Sequence, residues 1–70
     1  MEEILSPMPG TICEINISQG DRVVEDQELM FLEAMKMENP IMSPCNGIVK
    51  TVAVKTGDSV AVRQLLVVIE

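Results

Sequence analysis

Ser6-Pro7-Met8-Pro9-Gly10 returns as Ser43-Pro44-Cys45-Asn46-Gly47, an offset of 37 residues in a chain of 70. The same offset carries Gly20-Asp21 onto Gly57-Asp58, Val23 onto Val60, Gln27 onto Gln64, Leu29 onto Leu66 and Glu33 onto Glu70. Between residues 6–33 and 43–70, nine of 28 pairs are identical and eight more exchange one apolar residue for another. Ordinary amino-acid usage gives about two identities by chance. The chain is therefore an internal duplication, and its two halves must share one local structure. Between them lies Glu33-Ala34-Met35-Lys36-Met37-Glu38-Asn39, with Lys36 beside the midpoint.

The repeat decides between helix and strand. Residues 28–38 are rich in Glu, Leu, Met, Ala and Lys, all of which favour helices. Their duplicate over 65–70 is Leu-Leu-Val-Val-Ile-Glu, which reads as strand. The copy therefore predicts strand for both, with Ala34 through Met37 as a turn and an extended segment resuming over 38–42. Met1 to Leu5 forms a first strand, ended by the prolines and glycine of 6–10. Gly10 to Ser18 is a strand whose apolar residues Ile12, Ile15 and Ile17 break strict alternation, as do Val49, Val52 and Val54. The repeated break predicts a bulge near 13–14 and again near 50–51. Gly20-Asp21 and Gly57-Asp58 are turns, followed by short strands at Val23-Val24 and Val60–Val62. The runs from Leu29 and Leu65 are dense enough to be strands covered on both faces.

The expected fold is all-β: a flattened antiparallel barrel or sandwich of two four-stranded sheets with internal pseudo-twofold symmetry, one domain over residues 1–70. Its core is drawn from Ile12, Ile15, Ile17, Val23, Leu29, Phe31, Val49, Val52, Val54, Val60, Leu66 and Val68.

Composition narrows the function. Apolar residues make up 47% of the chain, too many for a disordered tail. Net charge is −6 and Phe31 is the single aromatic, which argues against a nucleic-acid partner. No apolar run approaches the roughly 20 residues of a membrane helix. Met1-Glu2-Glu3 lacks the basic start of a signal peptide, and a cytoplasmic location is expected. Cys13 and Cys45 are expected to be small reduced core residues, and a chain without histidine offers too few ligands for a metal site. There is no nucleophile–base pair, so the chain is not expected to be an enzyme by itself. Glu33 and Glu38 could form an acid–base pair, but beside a solvated turn they read as surface charges.

Met35 and Met37 are large and apolar on a turn, where Gly, Asn, Asp or Ser is the usual choice. Two such residues around a lysine suggest a docking surface, methionine being adaptable at contacts. At least one of them is expected to fold back onto the barrel.

The stretch Glu33-Ala34-Met35-Lys36-Met37-Glu38 resembles the attachment motif of biotinyl domains of the biotin carboxyl carrier family. Ser-Pro-Met-Pro-Gly at 6–10, Gly20-Asp21 with Val23, Gln27 and Leu29, Pro44 with Gly47, and Gly57-Asp58 with Val60 fall where that family has them. The resemblance covers nearly the whole chain. It implies that Lys36 carries biotin in an amide bond made by a biotin protein ligase, with Glu33, Ala34, Met35, Met37 and Glu38 recognised by the ligase or later partners. It further implies a shuttle of carboxyl groups between a biotin carboxylase and a carboxyltransferase or decarboxylase. A departure occurs at Asp26 and Arg63, where the family usually has glycine, and it puts the geometry of those two turns in question. Two other readings remain open on the residues: a lipoyl-type carrier, which also modifies a hairpin lysine but commonly within Asp-Lys-Ala, and an unmodified structural module.

Overall fold

A computed structural model describes residues 1–70. Eight strands follow in order: β1 (Glu2–Leu5), β2 (Gly10–Ile15), β3 (Arg22–Val23), β4 (Glu28–Ala34), β5 (Met37–Met42), β6 (Gly47–Val52), β7 (Ser59–Val60) and β8 (Leu65–Ile69). There is no helix through 28–38. The strands form two four-stranded sheets, β1-β8-β6-β3 and β5-β4-β2-β7, with every pairing antiparallel. Adding 37 to β1, β2, β3 and β4 gives the places of β5, β6, β7 and β8 within a residue or two, so one sheet maps onto the other strand by strand.

The halves do more than pack face to face. Each sheet takes two strands from each half: β1 and β3 lie beside β8 and β6, and β5 and β7 beside β4 and β2. Backbone bonds cross in matched pairs, Gly20 to the Val49 carbonyl and Gly57 to the Ile12 carbonyl. The duplication also reaches further than residues 6–33. Ile41 pairs with Met30 as Ile4 pairs with Val67, and both isoleucines are buried.

Five of the nine identities are explained by backbone geometry or hydrogen bonding. Ser6 and Ser43 donate to the carbonyls of Met8 and Cys45, both at 2.6 Å, holding the chain through the proline turns. A Cβ on Gly10 would lie 2.5 Å from the Glu33 carbonyl oxygen, and one on Gly47 would lie 2.6 Å from that of Glu70. Gly20 and Gly57 have φ of +93° and +95°, where an L side chain is strained. Asp21 and Asp58 accept from the backbone of Ser18 and Lys55, and Gln27 and Gln64 from that of Val24 and Ala61. Asp26 and Arg63 have φ of +69° and +67°, so both turns keep the left-handed conformation that glycine adopts freely.

The expected bulges are present, with Cys13 the extra residue in β2 and Lys50 in β6. A second pair, unforeseen, sits at Leu29 in β4 and Leu66 in β8. Each bulge turns two successive residues inward: Leu29 with Met30, and Leu66 with Val67, all fully buried. This explains the dense apolar runs without covering both faces of β4, and it corrects the core. Ile12, Ile17, Val23, Leu29, Val49, Val54, Val60, Leu66 and Val68 are buried as expected. Ile15 and Val52 only pack against the core's edge. Phe31 is half-exposed between Glu14 and Pro40, because the bulge moves the inward positions to Met30 and Leu32. Cys45 packs against the core, whereas Cys13, carried on its bulge, does not.

Candidate functional site

Ala34 pairs with Met37, so β4 and β5 are joined by only two residues, Met35 and Lys36. Their φ angles are +54° and +65°. Positive φ at both central positions marks a type I′ turn, whose twist matches that of the strands it joins. Asn-Gly is the usual choice there, because a left-handed residue with a full side chain costs roughly 1–2 kcal/mol. Such strain persists only where the surrounding structure over-determines it, and it concentrates at functional positions. Here the six-pair ladder from Glu28↔Met42 to Ala34↔Met37 fixes the turn.

The turn presents its side chains outward. Met35 is 90% exposed and Met37 66%, and Lys36 between them is exposed. Neither methionine folds back onto the barrel, contrary to expectation; a two-residue I′ turn leaves no slack for it. Ala34 is buried and anchors the end of β4, while Glu33 and Glu38 stand opposite each other and exposed. Lys50 reaches Glu70 at 3.8 Å, whereas Lys36 has no ion-pair partner.

One tip residue was given no role by the sequence reading. The Asn39 side-chain amide donates to the Leu32 carbonyl at 3.4 Å and the Met37 carbonyl at 3.3 Å, bridging both strands below the turn. Its place directly opposite Leu32 was the available signal, but only the register reveals it.

On the same sheet, the Cys13 thiol donates to the Phe31 carbonyl at 3.4 Å. Burial pushes its pKa above the ordinary thiol value; the Glu38 carboxylate adds to this, and Glu33 and Glu14 contribute less. A thiol held protonated is a poor nucleophile.

The arrangement offers one unpaired amine on a two-residue, apolar-flanked tip. An ammonium must lose its proton before attacking an acyl donor, and the side chains on either side of Lys36 are thioethers. The groove lined by Arg22, Val23, Val24, Asn46, Gly47 and Ile48 lies along β3 and β6, in the other sheet. Lys36 is thus an exposed amine without an ion-pair partner, held between the two strands of a hairpin.

The family described as "Biotin-requiring enzyme" matches residues 2–69. The chain is 44% identical over 63 residues to pyruvate carboxylase of Staphylococcus aureus, a match covering 90% of this chain and 6% of that one. It is 45% identical over 64 residues to the biotin carboxyl carrier protein of Streptococcus mutans, covering 91% of this chain and 49% of the relative. Among solved structures, the Kluyveromyces lactis urea carboxylase superposes with a TM-score of 0.92 at 29% identity, over 99% of this chain and 6% of that one. The chain therefore spans half or less of the length of these relatives.

Proposed function

The chain belongs to the biotin-requiring enzyme family, and on that premise we propose that Lys36 carries biotin through an amide at its Nζ and serves as a carboxyl carrier. The observation that carries this reading is the exposed, unpaired lysine on a strained two-residue turn, inside Ala34-Met35-Lys36-Met37. Bound biotin supplies a ureido nitrogen able to accept and release a carboxyl group. The protein's own part is positional. The I′ turn holds the amine at the tip, Met35 and Met37 offer apolar area to a docking cleft, and Glu33 and Glu38 frame it with negative charge. No wall surrounds the tip, which suits a group that must enter sites on other domains or subunits.

The partners follow from that role: a biotin protein ligase to form the amide, a biotin carboxylase to load the carrier, and a carboxyltransferase or decarboxylase site to receive from it. Amide formation removes the lysine's charge and takes the chain from −6 to −7. The direct test is intact mass after co-expression with a biotin ligase and, separately, with a lipoyl ligase. A gain of one biotin less one water in the first arm alone is expected. Lipoylation in the second arm, or no gain in either, overturns the assignment.

A further inference from the structure

The turn poses a mechanical question. Met35 and Lys36 both hold left-handed φ without the glycine or asparagine that makes it cheap. The ladder ends at Ala34↔Met37, immediately beside them. The last pair of a ladder frays first unless something ties it down.

We propose that Asn39 is a positioning residue for the acylation of Lys36: its carboxamide ties the two strands of the hairpin together and holds the left-handed turn in its presenting shape. The inference rests on the reading of Lys36 as the acceptor. Its geometry is specific. Nδ2 donates to Leu32 on β4 and to Met37 on β5, and Met37 is the residue into which the turn closes. Both bonds use the amide's two N–H groups, so the role demands a donor. Releasing the Met37 carbonyl lets the turn relax toward conformations that are easier for Met and Lys. The amine then spends less time where a ligase can take it, and the loss falls on kcat/KM. Asn39 touches neither the amine nor the acyl group. It acts through the backbone.

The side chain also fits a positioning role better than a core one. Asn39 is half-exposed, and its bonds go to carbonyls on the hairpin itself rather than into the barrel. Its loss should be felt at the tip, with little effect on the core built on Leu29 and Leu66. Aspartate in its place has the same shape, but without donors it sets a carboxylate against two carbonyl oxygens. Asn39→Asp must therefore be worse than Asn39→Ala, an order that side-chain volume does not predict.

The experiment compares the wild-type chain with Asn39→Ala and Asn39→Asp. It measures ligase kinetics with biotin and ATP, and amide hydrogen exchange in the unmodified proteins. Asn39→Ala should lower kcat/KM about fivefold, the worth of one net hydrogen bond, and Asn39→Asp should lower it further. Exchange should quicken at residues 35–37 and stay unchanged at Leu29 and Leu66. Wild-type kinetics in both variants, or exchange that rises equally at tip and core, overturns the proposal. A wild-type chain that accepts no biotin instead refutes the reading of Lys36; the exchange data then still decide whether Asn39 holds the turn.

Discussion

Glu33 and Glu38 face each other across β4 and β5, one pair below the Ala34↔Met37 closure of the Lys36 turn. Like charges directly opposite on an antiparallel pair are destabilising, by about 0.2–1 kcal/mol on the scale of cross-strand pairs. The pair is thus a cost to the fold, set one step below the turn that carries Lys36.

Replacing Glu38 with Gln should accordingly stabilise the domain by about 0.5 kcal/mol, with the gain shrinking at high salt as the repulsion is screened. The same change removes the leading charge acting on Cys13. Because the thiol pKa is raised in the fold, its stabilising share is present below the unfolded thiol's pKa and is lost as pH rises through the folded value. Alkylation of Cys13, followed by peptide mass against pH, should need a higher pH than a free thiol. The profile of Glu38→Gln should move back down. An unmoved profile would show that burial acts alone.

Gly10 and Gly47 occupy matched close approaches, where a Cβ would lie 2.5 Å from the Glu33 carbonyl oxygen and 2.6 Å from that of Glu70. Backbone cannot yield as a flexible side chain can. Gly10→Ala and Gly47→Ala should each cost about 1–3 kcal/mol, read as a fall in the denaturant midpoint. A neutral effect at either would mean that the strands separate there at little cost.

Asp26 and Arg63 take matched left-handed conformations, but arginine tolerates that region less well than aspartate. Arg63→Gly should raise stability by about 0.5–1 kcal/mol, the relief of strain exceeding glycine's entropy in the unfolded chain. In a domain this small that is a rise of roughly 2–8 °C in Tm. Asp26→Gly should gain less. Equal gains would mean that the aspartate is as strained as the arginine.

Much of this fold was legible because duplication supplies a second reading of every segment. Leu65-Leu66-Val67-Val68-Ile69 disclosed that Leu29 to Glu33 is strand, against its helical composition. The paired irregularities at Ile12 and Val49 disclosed the bulges. The placing of β3 beside β6 and of β7 beside β2 was hidden, because two-residue strands carry too little pattern to name their neighbour. Phe31 was misplaced because nothing in the sequence marks Leu29 as an extra residue, and one extra residue inverts the faces that follow. At the turn, the motif and the midpoint position singled out Lys36, and the folded chain places it exposed between β4 and β5. The left-handed turn and the bridge made by Asn39 were not legible: neither Met nor Lys announces positive φ, and the bridge depends on a register that only the folded chain fixes.

Met35 and Met37 are exposed, so removing their apolar area should leave the fold intact. The double variant Met35→Asp with Met37→Ala should shift stability by less than about 0.5 kcal/mol. Its carboxylation by biotin carboxylase, per biotinylated molecule, should drop sharply, since full burial of one such side chain in a partner is worth roughly 1.5–3 kcal/mol. Unfolding lowered by many degrees with an unchanged rate would make the methionines structural.

The most direct test of the central claim is the modified-residue mass of wild-type and Lys36→Arg chains, each co-expressed with a biotin protein ligase. Arginine keeps the charge on an exposed turn and removes the acylable amine. Biotin should appear on Lys36 alone in the wild type, not on Lys50 or Lys55, and should be absent from Lys36→Arg, whose unfolding should match the wild type. Biotin persisting in the folded Lys36→Arg chain would contradict the account.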